Sequence, residues 1–454
     1  MALLIPYNSG PGSGLSFGKK QESELYMLNR SQRTGPLFKS LSRRLNRLSL
    51  WRLARRITLG IVTAQVLTVA VLLGIAALGR RRKHDTSFPH ERFEKVQVGE
   101  NFLQLYSYGR DLYDAMLEAI DGAQECIYLE TYIWKDDAVG REFQAHLERK
   151  AAEGVAVYVI FDRFGNLVVP RSFKASFAPP VHVLEYSALH RPWHWLDPRR
   201  FALDHRKLLI VDGAMSFIGG YNIGSVYATQ WRDTHLGLRG AAAAELARSF
   251  IAFWNRFCPV PERITQRYHA PVDSRLTVSQ NEAMRLSFPI RDLHIAAIDR
   301  AEQFILLTTA YFVPDRMLRD ALKAAAGRGV DVRVLVPWVS NHVLADWISH
   351  SYFTDLLRGG VRIFGYRYTM LHAKTCTIDG QWSTVGTCNL DRLSLVGNYE
   401  INVGIYSPQF AGQMSALFAE DTSEVFELTR EQWQSRPWYN KVSERILAPL
   451  RLLV

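Results

Sequence analysis

His205-Arg206-Lys207-Leu208-Leu209-Ile210-Val211-Asp212-Gly213 is answered later in the chain by His372-Ala373-Lys374-Thr375-Cys376-Thr377-Ile378-Asp379-Gly380. In both stretches His and Lys stand two apart, a mostly apolar run follows, and Asp-Gly closes it. Such a run reads as a buried strand, whose period-two alternation puts the Lys side chain on the face that carries the His. Asp-Gly is a strong hairpin signal. Each copy therefore offers one imidazole and one ammonium side by side at a rigid place in the chain.

The agreement extends downstream. Gly219-Gly220-Tyr221-Asn222 follows the first copy and Gly386-Thr387-Cys388-Asn389 the second, and an acid comes later at a matched offset, Asp233 in one and Glu400 in the other. It extends upstream too. Helical periodicity over Leu112–Ala123, a buried strand over Cys126–Trp134, a helix over Gly140–Ala152 and a strand over Val155–Phe161 are replayed as Leu293–Ala301, Phe304–Phe312, Met317–Ala326 and Val330–Val336. Even the words match, Ala-Ile-Asp-Gly-Ala ending at Ala123 against Ala-Ile-Asp-Arg-Ala ending at Ala301. The chain is a duplicated α/β unit with one His-Lys pair late in each copy, over residues 95–275 and 276–454.

Ahead of the duplication lie three segments of different composition. Residues 1–56 are a polar, basic arm in which Leu41, Leu45 and Leu48 recur at helical spacing among Arg43, Arg44, Arg47 and Arg52, a pattern suited to an anionic lipid surface. Residues 57–79 carry no charge and are long enough as a helix, about 35 Å, to cross a hydrocarbon core of about 30 Å. Residues 80–94 are a polar linker. Seven Lys and Arg in the twenty residues before the span face six after it, so the positive-inside rule chooses no orientation.

Location also changes the meaning of the net charge of +11. Residues 1–84 hold 15 Lys and Arg against 2 Glu, leaving 40 basic and 42 acidic residues in the remainder. A polynucleotide-gripping protein needs a basic face. The duplicated part lacks that balance, so no nucleic-acid partner is expected. The four cysteines have neither metal-type spacing nor disulfide density and read as reduced thiols. No His/Asp/Glu cluster at metal spacing and no Walker-type glycine loop is present, so neither metal nor cofactor is expected.

Two loop segments are candidate walls of a substrate site: Arg163–Arg200, with Trp193 and Trp195 among arginines, and Trp338–Tyr352, with His342, Trp347 and His350. The chemistry itself follows from pairing the copies. One motif is half a site; two facing each other across a pseudo-twofold give two His, two Lys and two Asn around one small volume. That set suits a phosphodiester. Its oxygens need the positive charge of Lys207 and Lys374 and the amides of Asn222 and Asn389, while one of His205 and His372 attacks phosphorus and the other protonates the departing oxygen. Asp233 and Glu400 are suited to accept the second ring N–H of the histidines and fix their tautomer. Asp212 and Asp379 complete the motif and count with the catalytic set, although a hairpin turn suits them better to holding that turn.

The duplicated H-x-K-x4-D followed by G-[GST]-x-N resembles the phospholipase D superfamily over about residues 95–454. Within it the wording is most similar to bacterial cardiolipin synthases: Tyr128-Leu-Glu-Thr-Tyr-Ile-Trp134, Trp231-Arg-Asp-Thr-His235, Tyr311-Phe-Val-Pro-Asp315, Gly386-Thr-Cys-Asn-Leu-Asp-Arg392 and Asn398-Tyr-Glu400. The resemblance implies an α/β fold of two tandem phospholipase D-like α/β/α sandwich halves related by a pseudo-twofold, preceded by one transmembrane helix. It implies a metal-free, two-step exchange through a phosphohistidine, with His205 attacking and His372 serving as acid and then base. It also implies phospholipid substrates, phosphatidylglycerol first among them, and a bacterial inner-membrane location. The expected reaction joins two phosphatidylglycerols into cardiolipin and glycerol. Alternatives are hydrolysis to phosphatidic acid by the same site, or a nuclease of the superfamily. The chain departs from that pattern in its single span, its long basic arm, and Gly220 and Thr387 where Ser is common.

Overall fold

The computed structural model describes residues 51–60, 62–70, 74, 88, 90–188, 202–269, 273–338, 340, 343–423 and 425–447. Most of the N-terminal arm, the end of the expected span, most of the linker, Trp193, Trp195 and His342 lie outside these. Among the described residues one helix, Trp51–Ala70, is long and apolar enough by length and composition to cross a membrane.

The first half contributes β1 (Val96–Val98), β2 (Asn101–Tyr106), β3 (Cys126–Thr131), β4 (Ala156–Asp162), β5 (His182–Tyr186), β6 (Leu208–Val211), β7 (Met215–Gly219) and β8 (His235–Arg239). The second contributes β9 (Leu276–Asn281), β10 (Phe304–Thr309), β11 (Phe312–Val313), β12 (Asp331–Pro337), β13 (Arg362–Tyr366), β14 (Lys374–Ile378), β15 (Trp382–Gly386), β16 (Leu390–Asp391), β17 (Glu400–Tyr406) and β18 (Phe426–Leu428). The longer helices are α1 (Gly109–Gly122), α2 (Ala138–Ala152), α3 (Ala243–Phe257), α4 (Pro289–Arg300), α5 (Arg316–Gly327), α6 (Val343–Arg358) and α7 (Pro408–Thr422).

Two eight-stranded sheets result, ordered β1-β2-β8-β7-β6-β3-β4-β5 and β18-β13-β12-β10-β14-β15-β17-β9. Read backwards, the second repeats the first strand for strand: β9, β17, β15, β14, β10, β12 and β13 stand where β2, β8, β7, β6, β3, β4 and β5 do. The duplication in the sequence is thus a duplication of topology. Local chemistry is repeated with it. Asp137 caps α2 by accepting from the Gly140 N–H, and Asp315 caps α5 by accepting from the Leu318 N–H, each such cap stabilising its helix by about 1 kcal/mol.

The expected elements form within a few residues of their predicted bounds, and the expected loops hold structure of their own: Arg163–Arg200 carries β5 at His182–Tyr186, and most of Trp338–Tyr352 is the start of α6. β10 ends at Thr309 rather than Phe312, and the first half shows the same shortening. β3 ends at Thr131 rather than Trp134. The Thr131 hydroxyl donates to the Ile133 carbonyl and closes a turn, and the buried Trp134 indole donates to the Gly140 carbonyl. Tyr132 lies on that turn, past the end of β3.

The outer face of the first sheet is covered by α1 and α2, whose Leu112, Met116, Ile120, Phe143 and Leu147 share one apolar cluster with Val157, Val159 and Leu209. The second sheet is covered likewise by α4, α5 and α6. Between the sheets, Ile218, Leu236 and Leu238 of the first half and Val385, Val403 and Ile405 of the second belong to a single core that also takes in α3 and α7. The halves share that core, and it sets the seam on which the motif residues meet.

Candidate active site

The His-Lys pairs stand at the mouths of strands rather than inside them, since β6 opens at Leu208 and β14 at Lys374. Antiparallel pairing of Glu130 with Leu208 and of Thr309 with Lys374 places each mouth at the finishing end of β3 or β10. Backbone then ties the two mouths together. The His205 N–H donates to the Tyr399 carbonyl at 3.1 Å and the Tyr399 N–H to Leu203 at 2.9 Å; the His372 N–H donates to Arg232 at 2.7 Å and the Arg232 N–H to Met370 at 3.0 Å. These are two short parallel bridges, Asp204 with Tyr399 and Arg232 with Leu371, each joining one half to the other.

Each bridge aligns the residue before a histidine with the residue before an acid, so every imidazole lies beside the acid of the opposite half. His205 Nδ1 is 3.0 and 3.1 Å from the two carboxylate oxygens of Glu400, and His372 Nδ1 is 2.6 Å from Asp233 Oδ2. A carboxylate accepting from Nδ1–H fixes the tautomer, with the ring lone pair on Nε2. Neither half holds a complete histidine by itself.

The ammonium groups reinforce this geometry. Lys207 Nζ donates to the His205 carbonyl at 2.7 Å, and Lys374 Nζ does the same to His372. Tyr132 meets His205 edge-on at 4.9 Å, while Trp231 and Tyr311 pack on His372 at 5.3 and 6.2 Å. Burial first, then the charges of Lys207 and Lys374, push the pKa of His205 down, so its imidazole is held neutral. Burial likewise lowers Lys207 to about 7 and Lys374 to about 8, and raises the carboxyls of Asp233 and Glu400.

The structure gives the remaining expected residues different parts. Asn222 is buried, its Oδ1 held by the Ile133 N–H at 3.1 Å, while buried Asn389 has an Oδ1 without a hydrogen-bond partner among the described residues. Asp212 and Asp379, counted above with the catalytic set, belong elsewhere. Each sits at the far end of its strand with φ near +50°, accepting three backbone N–H groups: Gln124, Glu125 and Cys126 for Asp212, and Glu302, Gln303 and Phe304 for Asp379. Their carboxylates hold the hairpin to the start of the neighbouring strand. Trp347 and His350 pack in an aromatic group with Trp338 and Trp433, on a helix whose Asp346 and Ser349 share a narrow crevice with Tyr311.

A buried charge cluster around His205 escaped the sequence reading. Arg206 pairs with Glu130 and lies 3.3 Å from Asp204, while Asp162 Oδ2 accepts the Asp204 N–H at 2.9 Å. The second half has Ala373 and Leu371 at the positions of Arg206 and Asp204, so this cluster breaks the symmetry on the His205 side. Its signal was the lone Glu inside the buried word Tyr-Leu-Glu-Thr. Arg232, which beside Asp233 could be read as one of a surface pair, is instead wholly buried and held by two hydrogen bonds of 2.8 Å to Asp421. Among the described residues no group of His, Cys, Asp and Glu could hold a metal ion.

Two α/β units that meet so that each histidine of one is held by an acid of the other define a duplicated phospholipase D-like protein. The chain belongs to the cardiolipin synthase family with phospholipase D-like domains, whose model matches residues 116–254 and 294–422. It is 32% identical to the cardiolipin synthase of Listeria monocytogenes serotype 4a (strain HCC23) over 377 residues, 78% of this chain and 76% of that one. Identity and coverage are the same for the major cardiolipin synthase of Bacillus subtilis (strain 168). Among solved structures, phosphatidylserine synthase from Haemophilus influenzae Rd KW20 shares the fold, with a TM-score of 0.59 at 15% identity over 83% of this chain and 97% of that one.

Proposed function

We propose that the protein is a membrane-anchored phosphatidyltransferase that condenses two phosphatidylglycerols into cardiolipin and glycerol. The observation that carries this reading is the exchange of acids across the seam, His205 with Glu400 and His372 with Asp233. It builds one two-histidine site from two half-motifs. In the first step Nε2 of neutral His205 attacks phosphorus and the bond to the glycerol oxygen breaks, His372 giving that oxygen its proton. In the second, His372 takes the proton of the acceptor's hydroxyl. The resulting oxygen attacks phosphorus and the P–N bond to His205 breaks. Lys207, Lys374 and the amides of Asn222 and Asn389 stabilise the extra charge on the phosphoryl oxygens in both steps. The helix Trp51–Ala70 supports a single-pass anchor, and kinship with bacterial enzymes supports the cell membrane as the location.

Lipid product analysis with purified protein and phosphatidylglycerol tests the reading. Cardiolipin and glycerol are expected in equal amounts, whereas phosphatidic acid as the main product would make the protein a hydrolase. His205→Ala and His372→Ala should each abolish turnover in a folded protein, and appreciable activity in either would contradict a joint site.

A further inference from the structure

We infer that the loop following β4 docks the catalytic end of the first half onto an anionic lipid surface. Phe164, Leu167 and Val168 stand 61%, 65% and 81% exposed within five residues of one another, although the next residue, Val169, is buried. Their exposure is built in. Asp162 accepts the Phe164 and Gly165 N–H groups at 2.7 and 3.0 Å. Buried Asn166 donates to the Asp162 and Tyr132 carbonyls at 2.7 and 2.9 Å and accepts the Trp134 N–H at 2.8 Å. These bonds hold the loop backbone against the domain and leave the apolar side chains nowhere to fold inward. A soluble surface gains nothing from such an arrangement, whereas an acyl layer accepts it.

Charge at the same place selects the kind of surface. Beside the tip lies an open cleft of about 570 Å³ lined by Arg163, Arg171 and Lys174 together with apolar side chains. Lys174 is neutralised by Glu185 at 2.8 Å, but Arg163 and Arg171 have no ion-pair partner among the described residues. Two guanidinium groups without an ion-pair partner among the described residues, around an apolar tip, match a layer of phosphate head groups over acyl chains, and match a polynucleotide poorly because the tip would stay wet.

The loop is also bonded to the site on two sides. Tyr132, which Asn166 holds, packs on His205, and Asp162, which holds the loop, accepts the N–H of Asp204 next to that histidine. Docking would therefore set His205 at a fixed height above the acyl layer. The choice of lipid as partner rests on the phosphatidyltransferase reading, while the docking itself requires no turnover.

The test uses the full chain reconstituted in vesicles, with half-buried Cys258 replaced by Ser and a nitroxide placed at Val168→Cys or, as comparator, at Ala152→Cys, which is exposed at the opposite end of β4. In phosphatidylcholine vesicles containing phosphatidylserine, the label at 168 should lose collisions with a water-soluble nickel chelate severalfold and gain collisions with oxygen. The label at 152 should do neither. Adding Arg163→Glu and Arg171→Glu should return the label at 168 to water. A label at 168 as accessible to nickel as that at 152 would overturn the inference, and so would immersion unaffected by the two charge reversals. Failure to make cardiolipin would leave this measurement standing, so the two readings fail separately.

Discussion

Asp212 and Asp379 hold their hairpin turns, the part that the Asp-Gly setting suits better than chemistry. Each carboxylate accepts three backbone N–H groups from the start of a neighbouring strand. Hydrogen bonds to a charged acceptor are worth roughly 1.5–3 kcal/mol each, and losing the acceptor leaves the donors unpaired. Asp212→Ala should therefore lower stability by roughly 2–4 kcal/mol, read by denaturant unfolding, with kcat changed only a few-fold in the protein that remains folded. A large loss of kcat at unchanged stability would return this residue to the chemistry. The lysines make the opposite prediction. Burial lowers Lys207 to about 7 and Lys374 to about 8, so their charge is lost as pH rises through that range. For phosphatidylglycerol in mixed micelles, kcat/KM should fall on the alkaline side from about pH 7 to 8, well below the value of about 10.4 for a free lysine. Unfolding is not the cause of that fall. Between those values the unfolded chain binds more protons at these two positions than the folded one, so their contribution to stability grows as pH rises. A profile flat to pH 10 would contradict the buried ammonium pair.

At the scale of elements, the hairpins β6–β7 and β14–β15 were legible because turn chemistry, apolar runs and the two-residue His-Lys spacing are local and repeated. What was hidden is which acid serves which histidine. Matched offsets within each copy invite pairing within a half, whereas the bridges join residues 195 and 139 positions apart. No local signal reports such a contact. The same geometry explains a departure from the family wording. Thr387 donates to Glu400 at 2.5 Å and its oxygen accepts the Ile401 N–H at 3.0 Å, so the longer acid is steadied by a hydroxyl. Gly220 holds the equivalent position, and a Cβ there would lie 2.0 Å from Asp233 Oδ1. The shorter acid needs that space. Gly220→Ala should displace Asp233 from His372 and lower kcat by roughly tenfold or more, while Thr387→Ser, which keeps the hydroxyl, should stay near the parent rate. Assays of the two variants side by side check this; equal rates would mean that the acid tolerates crowding.

On the whole-molecule scale, duplication has become interdependence. The core between the sheets draws Ile218, Leu236 and Leu238 from one half and Val385, Val403 and Ile405 from the other. Burying each such side chain contributes roughly 1.5–3 kcal/mol. Six of them together match the roughly 5–15 kcal/mol by which an ordinary domain is stable. A half produced alone would expose that face and lack the acid for its own histidine: residues 1–275 contain His205 without Glu400, and residues 276–454 contain His372 without Asp233. Chains ending at residue 275 and beginning at residue 276 should each be inactive when expressed singly, and should recover part of the parental cardiolipin synthesis when co-expressed and co-purified. His205→Ala in the first fragment should then abolish the activity of the reconstituted pair and Glu400→Gln in the second should weaken it, because both changes strike the same imidazole from different chains. Turnover by either fragment alone, as a monomer, would show that one motif suffices and that the exchange of acids across the seam is not what makes the site.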